Sequence, residues 1–326
     1  MSRYVIGIDL GATLIKYTAM PENGRPIGVS RVPTYGELGP EMVISQIHNA
    51  ISKARESVPA GGTVIGIGIG TPGLIDNKGE IIGEAVNIPG WRDVDLQDIM
   101  IKREQTNVVV QNDVNLTALG ELHYGVGKNI RNLVCISIGT GIGGGIVLDG
   151  KLYTGGYGFT GEIGHLVVEP GGLECDCGQN GCLEQYSSAN GLVANCFRLA
   201  EKFPSELADI TRRHPDSITA EYIYTFLEKG DKLAREVHQL SCRMLARVIG
   251  LIMGILAPEM VVLCGGVMKS GKLILPDILE LLPSNSISTI HERCRVLPGE
   301  LGPEAGVIGA AVYALQQFLH KEEHPK

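Results

Sequence analysis

Leu133-Val134-Cys135-Ile136-Ser137-Ile138-Gly139-Thr140-Gly141-Ile142-Gly143-Gly144-Gly145-Ile146-Val147-Leu148 is an apolar run, a glycine turn around one threonine, and a second apolar run. The runs read as strands joined by the turn. The same order opens the chain: Tyr4-Val5-Ile6-Gly7-Ile8, then Asp9-Leu10-Gly11-Ala12-Thr13, then Leu14 to Met20. One half-fold written twice predicts two similar domains, and ligands tend to bind between domains. Glycines so dense cost chain entropy unless the backbone must approach something closely. Asp9-x-Gly11-x-Thr13 leaves two readings open. Its backbone N–H groups suit phosphate and its carboxylate a hydrated Mg2+; equally, Asp and Gly are ordinary turn residues.

Outward from these copies, Asn23-Gly24 signals a hairpin and residues 27–32 a third strand, so the chain opens as an antiparallel meander. Residues 41–57 have helical spacing, with Met42, Val43, Ile47 and Ile51 on one stripe. Residues 64–70 and 107–110 read as buried strands. Residues 95–103, 116–124, 272–282 and 306–319 read as helices, and residues 187–255 as mostly helical. Residues 260–263 and 295–296 are further strands. Two G-x-G-x-x-G matches, at Gly68 and Gly139, lead into a turn and a strand. A dinucleotide fingerprint must open a helix, so neither is one, and no phosphate-binding G-x4-G-K-S/T exists.

Asn112-Asp113 follows the carboxyl end of a buried strand and precedes a helix. Active sites collect at that place in α/β sheets, and an Asp there suits proton removal from a hydroxyl attacking phosphorus. A helix N-cap explains the same pair.

Cys175-Asp176-Cys177-Gly178-Gln179-Asn180-Gly181-Cys182 follows Gly161-Glu162-Ile163-Gly164-His165. Three thiols and one imidazole make a Cys3His set, the closed tetrahedron of a structural zinc site. A disulfide or three unrelated buried thiols remain alternatives. Gly178 and Gly181 allow tight turns between ligands. Glu162 and Glu184 flank the set, giving a polar platform suited to a small polyhydroxylated ligand.

The net charge of −8 gives no reason to expect nucleic acid or an anionic membrane as partner. Met1-Ser2-Arg3 runs straight into a strand with no secretory leader, which predicts a cytoplasmic protein. Residues 243–256 are the most apolar helical stretch; they carry Arg243 and Arg247 and read as a core helix, too short to span a bilayer.

Together these motifs resemble the ROK family of sugar kinases and sugar-responsive repressors, within the hexokinase/actin/Hsp70-like superfamily. The likeness covers nearly the whole chain. It implies an α/β fold of two similar ribonuclease H-like domains with an interdomain cleft: residues 1–113 with about 306–326, and a larger domain, 114–305, carrying the zinc knot. It implies ATP-dependent phosphorylation of a hexose 6-hydroxyl, glucose first, with ATP, Mg2+ and structural Zn2+. Asp9, Gly11, Ala12, Thr13 and Lys16 would form the first ATP-binding loop. Gly139, Thr140, Gly141, Gly143 and Gly144 would form the second, and Gly265-Gly266 would border the adenosine. Asn87, Asn112, Asp113, Glu162, His165 and Glu184 would contact the sugar, with Asp113 as base. His165, Cys175, Cys177 and Cys182 would bind zinc. A homodimer or homotetramer is implied. The family commonly has glycine at position 12 and an acidic residue at 111; here they are Ala12 and Gln111. The first change implies a slightly different loop. Two rival functions are an N-acetylhexosamine kinase and a sugar-sensing regulator without activity. Family repressors add a DNA-binding domain before the first strand, whereas three residues precede it here and the chain is acidic.

Overall fold

The computed structural model describes residues 2–83 and 88–323. In chain order the elements are β1 (Arg3–Leu10), β2 (Leu14–Pro21), β3 (Ser30–Pro33), α1 (Pro40–Glu56), β4 (Thr63–Thr71), β5 (Leu74–Ile75), β6 (Ile81–Ile82), α2 (Leu96–Glu104), β7 (Val108–Asn112), α3 (Asp113–His123), β8 (Leu133–Ile138), β9 (Ile142–Leu148) and β10 (Lys151–Leu152). There follow α4 (Glu184–Ser187), α5 (Ala189–Leu199), α6 (Glu206–Arg213), α7 (Ala220–Glu228), α8 (Lys232–Leu256), β11 (Met260–Cys264), α9 (Gly271–Leu281), α10 (Ser288–His291), β12 (Arg295–Pro298) and α11 (Ala305–Glu323).

One five-stranded sheet is ordered β3-β2-β1-β4-β7 and the other β10-β9-β8-β11-β12. Counting each sheet's strands from its own first, both orders are 3-2-1-4-5, so the duplication in the sequence is a duplication of topology. In each the outer hairpin is antiparallel and the later strands are parallel. The parallel strands are buried, which is why β1 and β11 are nearly continuous apolar runs.

The chain divides into two compact units. Met1–Arg131, Gly145–Gly161 and Glu300–Lys326 make the first; Asn132–Gly144 and Glu162–Gly299 make the second. This differs from the expected boundary after residue 113. The cause is α3, which stays with the first unit because α11 packs against it through glycines. A Cβ on Gly309 would lie 1.7 Å from the Leu116 carbonyl oxygen, and one on Gly120 2.2 Å from that of Ala305. The same helix lies flat on β1 and β4, where a Cβ on Gly7 or Gly68 would strike the backbone of Val307 or Ala310. In α1, Pro40 occupies the first turn, where its missing N–H costs nothing. Its buried stripe of Val43, Ile47, Ala50, Ile51 and Ala54 has helical spacing.

The second unit is built around α8. By length and composition α8 could cross a membrane, but it packs against α5, α7 and α9. Val237, Leu245, Ile249 and Met253 are buried in that core. Asp231 caps its start by accepting from the Ala234 N–H, and Ala257 ends it in the left-handed region, just before Pro258.

Candidate active site

In the first unit the candidate residues meet at the carboxyl ends of the parallel strands β1, β4 and β7, the usual position for a site in such a sheet. Asp9 and Lys16 face each other as cross-strand partners of β1 and β2. Lys16 Nζ lies 2.7 Å from Asp9 Oδ2, and Asp9 is 8% exposed. The turn between them is tight: the Gly11 N–H donates to the Leu14 carbonyl at 3.1 Å, and a Cβ on Gly11 would sit 2.9 Å from that oxygen. Ala12 keeps a negative φ, so alanine is unstrained there and the expected distortion of this loop has no backbone cause. Thr34 pins the turn from β3's end, its hydroxyl donating to the Gly11 carbonyl at 2.7 Å and its N–H to that of Thr13 at 2.9 Å. Sequence reasoning missed Thr34, since nothing local marks a residue whose partners lie more than twenty positions away.

Of the two roles the sequence left open for this pair, Asn112 takes the cap. Asn112 is the N-cap of α3, accepting from the Val114 and Asn115 N–H groups at 2.9 and 3.2 Å. Its Nδ2 donates to the Gly73 carbonyl at 3.2 Å. Asp113 opens the helix proper, and its Oδ1 accepts the Val114 N–H at 2.9 Å. Burial, with the nearby Asp9 charge adding to it, pushes the Asp113 carboxyl up to about 7; the Val114 N–H and Lys16 pull the other way. Gln111, buried at 3%, accepts from the Asn112 N–H and from Asn115 Nδ2, a local structural part. Asn87 lies outside the described residues.

In the second unit the loop 139–144 leaves β8 and is closed by the Gly139 N–H donating to the Gly141 carbonyl at 2.9 Å. Glu184, at the start of α4, accepts the Ile142 N–H at 2.6 Å. A Cβ on Gly141 would fall 2.4 Å from the same carboxylate, so that glycine answers to Glu184. Gly139 is different: a Cβ there would meet a single atom within 4 Å, at 3.9 Å. Gly265 follows β11 with φ of 93°, and a Cβ would lie 2.4 Å from the Ile138 carbonyl oxygen. Gly266 has no neighbour that its hydrogen keeps away. Gly139 and Gly266 therefore leave bare backbone at adjoining strand ends.

The Cys3His set assembles in the same unit. The ligand atoms of His165, Cys175, Cys177 and Cys182 lie within 4.8 Å of one another. His165 Nδ1 is 3.6 Å from Cys175 Sγ, and the Cys177 and Cys182 sulfurs are 3.6 Å apart. Ordinary zinc bond lengths give tetrahedral edges of about 3.6 Å for N–S and about 3.8 Å for S–S. The arrangement fits one ion, and all eight cysteines are free thiols. Gly178 and Gly181 have φ of 88° and 86°, as the turns between ligands require. His165 Nε2 points away from the sulfurs toward Glu162 Oε2, 4.0 Å off. Burial raises the Glu162 pKa; the neighbouring Glu184 adds to this and His165 opposes it.

Comparison with known proteins matches these features to one family. The ROK family pattern matches residues 5–317. A glucokinase of Halalkalibacterium halodurans is 34% identical over 97% of this chain and 96% of its own. A xylose repressor of Bacillus spizizenii is 30% identical over 97% of this chain and 78% of its own. The crystal structure of a ROK family glucokinase from Streptomyces griseus, in complex with glucose and AMPPNP, superposes with a TM-score of 0.79 at 33% identity, covering 96% of this chain and 99% of that one. The fold is an α/β fold of the hexokinase/actin type. With the pattern matched over nearly its full length and relatives this similar, the chain belongs to the ROK family.

Proposed function

We propose that this chain, an ATP-dependent sugar kinase, phosphorylates glucose on its 6-hydroxyl. The observation that carries the reading is Asp113. It stands at the strand ends, is relieved of capping by Asn112, and titrates near neutrality. A base is most effective with a pKa near the working pH. Asp113 accepts the sugar's hydroxyl proton as that oxygen attacks the terminal phosphorus of ATP. The bare backbone at Gly139 and Gly266 suits close approach of the nucleotide, and Asp9 with Lys16 completes a phosphate-facing turn. Mg2+, when bound, would neutralise charge on the polyphosphate; Asp9 is the carboxylate we assign to its hydration shell.

Glu162, His165 and Glu184, together with Asn87 and Asn112, are the groups we assign to the sugar. Four protein ligands leave a zinc ion no open position, so its part is structural. A zinc ion held by His165 with the three thiolates would fix the His165 ring and leave Nε2 to hydrogen-bond a hydroxyl. The glucokinase relatives favour glucose as the hexose.

Asp113→Asn tests the reading. Turnover should fall by about 10²-fold or more, the range for loss of a general base. Thermal stability should hold, because the cap is Asn112. Near-normal turnover would reduce Asp113 to a structural residue.

A further inference from the structure

Tyr224, His238, Cys242 and Asp277 converge from α7, α8 and α9 within the second unit, and none belongs to the site described above. His238 and Cys242 are one turn apart on the buried face of α8, 4% and 1% exposed. Asp277 Oδ2 lies 2.8 Å from His238 Nε2. Cys242 Sγ is 3.7 Å from both ring nitrogens of His238. The ligand atoms of these three residues lie within 4.8 Å of one another.

A buried histidine satisfied by an aspartate is common and needs no ligand. Two features exceed that explanation. A thiol sits against the imidazole, and the Tyr224 hydroxyl has no hydrogen-bond partner among the described residues. Tyr224 is 4% exposed, and its hydroxyl is buried without a hydrogen bond. Its ring stands edge-on to the His238 imidazole, with centroids 5.8 Å apart. A buried orphan hydroxyl is destabilising, a cost that a ligand within the cluster would recover.

We propose that His238 Nε2, Cys242 Sγ and Asp277 Oδ2 form a second metal site, for a divalent ion of the zinc type, with the Tyr224 hydroxyl as the closing oxygen. Nitrogen, sulfur and oxygen donors together suit a borderline ion such as Zn2+ or Co2+. Cys242 Sγ, as close to Nδ1 as to Nε2, must turn toward the Nε2 side to make the N–S edge of about 3.6 Å around the ion. The N–O separation of 2.8 Å must open to about 3.4 Å. Asp277 has room for that shift, its side chain being 45% exposed, and the same exposure gives the ion its way in. Binding releases the Cys242 thiol proton to solvent, while the imidazole stays neutral with its hydrogen on Nδ1. The ion joins α7, α8 and α9. With one thiolate against three, it binds more weakly than an ion in the Cys3His set.

The test titrates Co2+ alone into the full-length protein after its zinc content has been measured, following the d–d and thiolate charge-transfer bands. Wild type should take up one cobalt with the signature of a single thiolate. Cys177→Ala should keep this uptake, which separates it from the Cys3His set. Cys242→Ala and Asp277→Asn should lose it, while circular dichroism shows both folded; if Cys242→Ala does not fold, the half-exposed Asp277 carries the comparison. No cobalt band in wild type, or uptake unchanged in a folded variant, overturns the proposal.

Discussion

Asp113 owes its protonation state to two causes that separate experimentally. Burial is the larger and the Asp9 charge the smaller, and both raise its pKa. A base needs the carboxylate, so kcat/KM should climb as pH rises through about 7. Asp9→Asn removes one raising charge and releases Lys16 from its ion pair, and both changes favour the carboxylate. The alkaline-rising limb should therefore move to lower pH in that variant, even if its maximum rate is reduced; a limb that stays in place would mean that some other group titrates. At this scale the sequence was informative about residue type and poor about environment. The pair Asn112-Asp113 announced both a cap and a base, and only the hydrogen bonds of the α3 N-terminus assign the cap to Asn112. The dense glycines of 139–145 suggested ligand approach throughout. In the fold, Gly141 is explained by Glu184 and Gly145 by the α3 backbone, which leaves Gly139 as one without a protein reason.

Elements in this protein are placed by what their small residues allow. Helix α11 can lie on β1, β4 and α3 because glycine occupies both sides of the contact. Gly309→Ala would push a methyl to 1.7 Å from the Leu116 carbonyl, an overlap with rigid backbone. We expect a loss of about 1–3 kcal/mol, the usual cost of overpacking, read from denaturant unfolding; unchanged stability would show that α11 and α3 separate at little cost. The apolar run 306–319 was visible as a helix, but not its partner, since close packing between helices nearly two hundred positions apart leaves no local signal. That is why the expected boundary at 113 gave way to one beyond α3. The Cys3His stretch was legible from spacing because its ligands are local. Cys177→Ala should lose the zinc and weaken sugar binding more than ATP binding, by loosening His165 and Glu184 together. Full sugar affinity in a zinc-free protein, measured by calorimetry, would detach the sugar from this segment. The His238-x3-Cys242 spacing was equally local, yet its third member, Asp277, and the orphan hydroxyl of Tyr224 come from other helices and needed coordinates.

For the whole molecule, one fact in the sequence carried the architecture: the strand–glycine turn–strand pattern at 4–20 returns at 133–149. Both copies became sheets of the same order. A duplicated sheet brings a duplicated turn, one at 9–13 and one at 139–144. Overall topology therefore followed from pattern, whereas the sugar does not: discrimination between hexoses rests on one or two contacts worth a few kcal/mol at most. The direct measurement is phosphoryl transfer from ATP to glucose, mannose, fructose, N-acetylglucosamine and N-acetylmannosamine, each supplied alone, with the phosphorylated carbon located by NMR. The highest kcat/KM is expected with glucose, and the phosphate on carbon 6. A preference for either N-acetylhexosamine, or ADP formation that none of the five sugars stimulates, would contradict it.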